Sequence, residues 1–260
     1  MIQEYNLKDN SISFSIKNKE FNGITGKNSD NLIDILNLKR NYKGRIIIDE
    51  ELLTKDKINF YKQKIAIIKL LNSKEIYQKT VYELMYYEIR RCLLSLKNPK
   101  KKMEDSLKIV GLNTKILERR ITTLSSSEKV LVQLAIALLS NPNLLIMNDV
   151  FKTFDKETEK KTIMLLQKIR DQYNKTIVFV TNDSNFLYKY TTHLIIEKNN
   201  KILLEGETKD LFQRVDFLRK NKINIPEIVE FTYIAKKKKQ VKIDYHKDVR
   251  DIIKDIYKHV

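Results

Sequence analysis

The segment 124–149, LSSSEKVLVQLAIALLSNPNLLIMND, decides how the rest of the chain is read. Ser125 followed three residues later by Glu128 is a helix start: the hydroxyl takes one orphan backbone N–H and the carboxylate reaches back to another. The spacing predicts a helix from about Ser126 to Leu139, ended by Asn141-Pro142. Leu144-Leu145-Ile146-Met147 is then a short, continuous apolar run, the mark of a strand covered on both faces. It ends in Asn148-Asp149, followed by Phe154-Asp155, so polar side chains gather at the strand's exit.

Outward from this segment, the same kind of run recurs at Ile12–Ile16, Arg45–Asp49, Ile65–Ile68 and Thr176–Thr181, each read as a buried strand. Helices are expected at Val81–Leu96 and, after a lysine-rich break at Lys97–Lys102, at Met103–Val110, where Gly111 supplies a left-handed cap. Two more fall at Lys156–Tyr173 and Ser184–Tyr190. His193–Glu197 and Lys201–Leu204 flank Lys198-Asn199-Asn200 as a hairpin. Pro226 opens a helix reaching Lys239, and Val249, Ile252, Ile253, Ile256, Tyr257 and Val260 recur at three- and four-residue spacing, giving a last helix one apolar face. Strand-helix alternation with a helical insert makes the fold class α/β.

Composition limits the function. The chain has 260 residues, 42% of them hydrophobic, enough for a real core. It holds only five glycines, where about 7% is usual, too few for several phosphate-hugging loops. Fifty basic against 33 acidic residues give +17. That charge invites an anionic partner, nucleic acid or lipid. The heavy use of Lys, Asn and Ile with no Trp fits a genome-wide bias equally well. A lone Cys92, a polar start after Met1 and no apolar run near ~18 residues point to a soluble cytosolic chain without a metal cluster. The lysine runs 97–102 and 236–239 are read as solvated surface.

Leu124-Ser125-Ser126-Ser127-Glu128, then Asn148-Asp149, Asp155, Val180-Thr181-Asn182-Asp183 and Lys201–Gly206, in that order, resemble the motifs of the nucleotide-binding subunit of ABC transporters. These correspond to its signature loop, Walker B pair, D-loop aspartate, switch-histidine motif and terminal hairpin. The resemblance implies a P-loop NTPase-like ABC nucleotide-binding domain with a helical subdomain and a C-terminal helical extension. It places the domain at 1–213, with the helical subdomain at about 72–139, and a dimerisation or docking segment at 214–260. ATP and Mg²⁺ are the family's cofactors.

On the same resemblance, Ile12–Ile16 and the residues through Thr25 are the strand and lead-in to a Walker A loop, whose positions are Gly26, Lys27, Asn28, Ser29, Asp30, Asn31, Leu32 and Ile33. Two loop glycines are replaced by Ser29 and Asn31, the lysine by Leu32, and the hydroxyl residue by Ile33. A loop of this kind holds phosphate with inward backbone N–H groups and a lysine, and Mg²⁺ with a hydroxyl. Leu32 and Ile33 supply neither, and Asp30 adds a carboxylate. Asn148 stands for the magnesium-organising Asp and Asp149 for the catalytic Glu, shorter by one methylene. Leu70 takes the place of the Q-loop glutamine and Asn182 that of the switch histidine. Tyr5 is a poor candidate for the adenine-stacking aromatic. None of His193, His246 and His259 falls on a catalytic position.

Thr80-Val81-Tyr82-Glu83, Ile109–Leu112 and Ile225–Ile228 resemble the ATPases of energy-coupling-factor importers, in which the C-terminal segment helps hold two ATPase subunits together. The resemblance implies a cytoplasmic subunit, peripheral on the inner face of the cell membrane, whose partners are a paralogous ABC ATPase and a membrane-embedded coupling protein. The replacements imply little or no ATPase activity alone. Two other readings stay open: a signature loop, including Ser125 and Glu128, that serves hydrolysis at a partner's site, and a basic nucleic-acid-binding or regulatory protein, the less favoured.

Overall fold

Caps and breakers fix where the elements of this chain begin and end. The computed structural model describes residues 2–7, 10–38, 43–48, 51–70, 79–91, 97–239 and 243–258. The elements are β1 (Ile2–Leu7), β2 (Asn10–Ser15), β3 (Phe21–Thr25), α1 (Ser29–Leu36), β4 (Lys43–Ile48), β5 (Glu51–Leu52), α2 (Ile58–Lys62) and β6 (Ile65–Lys69). They continue with α3 (Val81–Arg91), α4 (Pro99–Ile109), α5 (Ser126–Leu139), β7 (Leu144–Asn148), α6 (Lys156–Tyr173), β8 (Thr176–Val180) and α7 (Ser184–Tyr190). Last come β9 (His193–Lys198), β10 (Lys201–Glu207), α8 (Thr208–Phe212), α9 (Val215–Lys220), α10 (Glu227–Lys239) and α11 (Val249–Lys258). The chain divides into two compact units, one of Met1–Asp34, Arg40–Leu52 and Phe179–Val260, the other of Ile35–Lys39 and Leu53–Val178.

The first unit holds an antiparallel sheet in the order β2-β1-β4-β5. It also holds the run β10-β9-β3, with β3 parallel to β9 and β9 antiparallel to β10. β3 is buried at all five positions. Phe179 stands edge-on to Phe21 at 5.1 Å and to Phe186 at 5.2 Å, so α7 packs through aromatic rings. Asn199 and Asn200 take φ of 55° and 60°, the paired left-handed residues of a two-residue hairpin turn. At the C-terminal end α11 buries Ile252, as the preceding segment buries Ile243, and leaves Val249, Ile253 and Tyr257 exposed.

The second unit holds the order β8-β7-β6, with β6 parallel to β7 in a register that sets Ile65 opposite Leu144 and Lys69 opposite Asn148. α5 buries Val130, Leu131, Val132, Leu134, Ala135 and Ala137, and α6 buries Thr162, Ile163, Leu166 and Ile169 on one stripe.

The structure corrects three expectations. The strand that leads into the Gly26 loop is Phe21–Thr25, not Ile12–Ile16, and residues 12–15 and 45–48 belong to the antiparallel sheet. Apolar β-branched runs report strand character without saying which sheet takes the strand. The lysine run is not a break: Pro99, whose missing N–H costs nothing in a first turn, opens α4, and Lys100–Lys102 are helical. The expected buried strand Ile65–Ile68 is buried only at Ile68, whereas Lys237 is exposed as expected, its Nζ donating to the Tyr233 hydroxyl at 2.6 Å, and Lys236 lies over the Tyr245 ring at 4.7 Å. Cys92, His259 and Val260, and the Leu93–Leu96 end of the expected helix, lie outside the described residues.

Candidate functional site

The loop between β3 and α1 is the residue stretch on which phosphate chemistry would depend. Gly26 opens it at φ +149°. An added Cβ there would stand 2.4 Å from the Glu197 backbone oxygen and 2.6 Å from Glu197 Oε2, so only glycine admits this approach. α1 begins at Ser29, and Asn31 N already donates to Asn28 O at 3.0 Å, so the turn closes at once into helix. Lys27 and Asp30 are exposed and Asn28 and Ser29 half-buried. Leu32 and Ile33 are 1% and 5% exposed and fill the core.

Two backbone donors of this loop, Gly26 N and Asn28 N, are engaged by side-chain oxygens of the chain itself. Asn182 Oδ1 accepts from Gly26 N at 3.1 Å and from the Thr25 hydroxyl at 3.0 Å. Glu197 Oε2 accepts from Asn28 N at 2.8 Å, while Oε1 accepts from Asn200 N at 2.5 Å. Asn31 Nδ2 donates to Asn200 Oδ1 at 2.7 Å, tying the first turn of α1 to the hairpin turn. Beside Asn182 an open groove of about 500 Å³ is lined by Asn182, Asp183, Asn185, Asn224, Glu227 and Glu230, an acidic wall that repels phosphate. The residues of this unit do not fit a triphosphate and its Mg²⁺: two of the loop's amides are taken, and Leu32 and Ile33, which offer neither a cation nor a hydroxyl, are buried.

In the second unit, Ser125 is the N-cap of α5 with a complete capping box: Glu128 N donates to Ser125 Oγ at 3.1 Å, and Ser125 N to Glu128 Oε2 at 2.8 Å. Arg119 Nη1 donates to Glu128 Oε1 at 2.8 Å. Burial tends to raise the Glu128 carboxyl, but the Ser125 amide and the Arg119 guanidinium outweigh it and hold it below its ordinary value. Leu124 is buried, Ser125 and Ser126 are exposed, and Ser127 Oγ lies 3.1 Å from Ser125 Oγ. Asp155 caps α6 by accepting from Thr158 N at 2.7 Å, a bond that lowers its carboxyl. Asp149 sits at φ +52° with its carboxylate paired to Lys152 Nζ. Asn148 ends β7 opposite Lys69, and Leu70, half-buried, follows β6. Gln133 brackets that strand end, Nε2 donating to Lys69 O at 2.5 Å and Oε1 accepting from Lys69 N at 3.3 Å. Among the described residues no group of three or more His, Cys, Asp or Glu side chains is placed to hold a metal ion.

Of the residues singled out in the sequence, the fold brings Gly26–Ile33 and Asn182 together in one unit and places the α5 head in the other. Sequence reading missed Glu197, Asn200, Gln133 and Lys152. Glu197 carried a signal: a carboxylate following Leu194-Ile195-Ile196 in a buried strand needs buried donors.

A family model described as ABC transporter matches residues 10–152. An energy-coupling factor transporter ATP-binding protein EcfA2 of Caldanaerobacter subterraneus subsp. tengcongensis is 24% identical over 238 residues, covering 89% of this chain and 82% of that protein. The protein of the same name from Clostridium tetani is 25% identical over 236 residues, covering 88% and 81%. Among solved structures, cbiO1 from Clostridium perfringens, described as part of the ABC transporter complex cbiONQ, superposes with a TM-score of 0.67 at 22% identity, covering 89% of this chain and 96% of that one. A nucleotide-free ATP-binding cassette from an ABC transporter gives 0.70 at 18% identity, covering 86% and 96%.

Proposed function

The chain belongs to the ABC transporter family, and from that premise we propose that it is the cassette subunit of an energy-coupling-factor-type importer that does not turn over nucleotide at its own phosphate loop. It completes a heterodimer with an intact paralogous ATPase beneath a membrane-embedded coupling protein, peripheral on the inner face of the membrane. The observation that supports this most is the capture of Gly26 N and Asn28 N by Asn182 and Glu197, together with the burial of Leu32 where a lysine would neutralise phosphate. Among the described residues no helix is long and apolar enough to cross a membrane, in keeping with a peripheral subunit. The similarity to proteins named energy-coupling factor transporter ATP-binding proteins, over most of both chains, supports the importer class.

Calorimetric titration of the purified chain with Mg-ATP tests the reading. The expected result is no binding tighter than millimolar; micromolar affinity would sink it. Recovery of the tagged chain from gently solubilised membranes with an intact ABC ATPase and a polytopic protein supports the assembly, and recovery alone counts against it.

A second reading is favoured by one feature. Ser125 and Ser126 are exposed at the head of a fully capped, well-packed helix, a rigid edge available to a partner's nucleotide. In that case the chain supplies a signature loop to the intact subunit's site. Ser126→Arg leaves the Ser125 cap in place and adds bulk on the exposed side. In the reconstituted complex it should abolish ATPase activity, and an unchanged rate argues against a shared site.

A further inference from the structure

We infer that the Glu197 carboxylate is a built-in anion, which occupies the amide cleft between the Gly26–Ser29 turn and the Asn199-Asn200 hairpin turn and holds the loop shut without any ligand. Glu197 is 1% exposed, on a strand whose first five residues are all buried. A carboxylate withdrawn from water persists only where protein donors replace the water. Here they come from two backbone turns at once: Asn28 N at 2.8 Å on Oε2 and Asn200 N at 2.5 Å on Oε1. Both turns are shaped for this. Asn199 and Asn200 are both left-handed, which aims the Asn200 amide back at its own strand. Gly26 lacks the Cβ that would otherwise fall 2.6 Å from Oε2 and 2.8 Å from the Glu197 Cβ. Carboxylate and loop are therefore in direct contact, with no space between them for a phosphate oxygen. The Asn31–Asn200 side-chain bond at 2.7 Å closes the far side.

This deepens the reading of a spent phosphate loop, on which it rests for the meaning of the cleft. It adds a cause: the anion that such a turn attracts is supplied covalently by β9, so the turn stays folded in the absence of nucleotide. Glu197 is a positioning residue, acting on the loop through its amides.

The test is site-resolved amide hydrogen exchange on the full chain, comparing the natural protein with Glu197→Gln and Glu197→Ala. Gln presents an N–H to one of the two amides, so exchange at Asn28 or Asn200 should quicken by roughly tenfold or more while β7 amides keep their protection. In E197A both should quicken, and sodium formate should slow them again relative to sodium chloride at equal ionic strength. The natural protein should show no formate effect. If E197A does not fold, E197Q carries the comparison. Equal exchange at both amides in the natural protein and E197Q overturns the proposal. Exchange is measured without nucleotide, so this result is independent of the Mg-ATP titration. Failure of the built-in anion and failure of the spent loop are therefore told apart.

Discussion

Gly26 and Gly111 both take positive φ, +149° and +83°, yet a methyl group meets very different surroundings at each. At Gly26 it lands 2.4 Å from the Glu197 backbone oxygen, a clash with main chain that no rotamer relieves. At Gly111, past the end of α4, nothing lies within 4 Å, and only the backbone preference is offended. Gly26→Ala should therefore destabilise by roughly 3 kcal/mol or more. Gly111→Ala should cost about 1 kcal/mol. Urea unfolding of the two variants checks the order, and equal midpoints would show that the loop does not press on β9. Five glycines made each one informative in the sequence, but its partner was not, because Glu197 is 171 residues away and pairs through backbone geometry.

At the scale of elements, α5 rests on its first turn. Removing the hydroxyl in Ser125→Ala strips one half of the capping box and should cost about 1 kcal/mol, measured by thermal or urea unfolding. The other half responds to pH. Glu128 has a carboxyl held below its ordinary value in the folded chain, so its contribution is present above the unfolded value and is lost as pH falls through the folded one. The stability gap between the natural protein and Glu128→Gln should shrink as pH drops below roughly 4.5, and a gap that persists unchanged to lower pH would mean the Ser125 and Arg119 contacts are not charge-dependent. Helices were legible: α5 has the bounds that Ser125 and Pro142 suggested, α6 spans the expected Lys156–Tyr173, and the Asn199-Asn200 turn marked the β9-β10 hairpin. Strands were legible as extended segments, but neither their partners nor, for β6, their burial was. Ile12–Ile16 and Ile65–Ile68 look alike as runs, yet one pairs antiparallel with β1 and the other parallel with β7. β3, with Asn22 and Gly23 inside it, hid its strand character because Asn22 satisfies its own buried amide, exchanging bonds with Lys17 at 2.8 and 2.9 Å.

At the scale of the whole molecule, the C-terminal helix has apolar residues on both a buried and an exposed side. On α11 Ile252 is 2% exposed, while Val249, Ile253 and Tyr257 are 60%, 45% and 78% exposed at spacings of four. That spacing is a continuous stripe, and three large apolar side chains on one exposed stripe are what a helix presents to another protein. The net charge of +17 argues against self-association through the general surface. The two sides separate by mutation. Ile252→Ala should cost roughly 3 kcal/mol, because it opens a cavity. The double change Ile253→Glu with Tyr257→Glu should shift stability by no more than about 0.5 kcal/mol, because both positions already meet water. If the stripe holds the paralogous ATPase, that double variant melts like the natural chain but no longer recovers the second subunit from solubilised membranes. Undiminished recovery would assign the heterodimer contact to another face, and a lowered melting temperature would show that the stripe belongs to the fold of this chain.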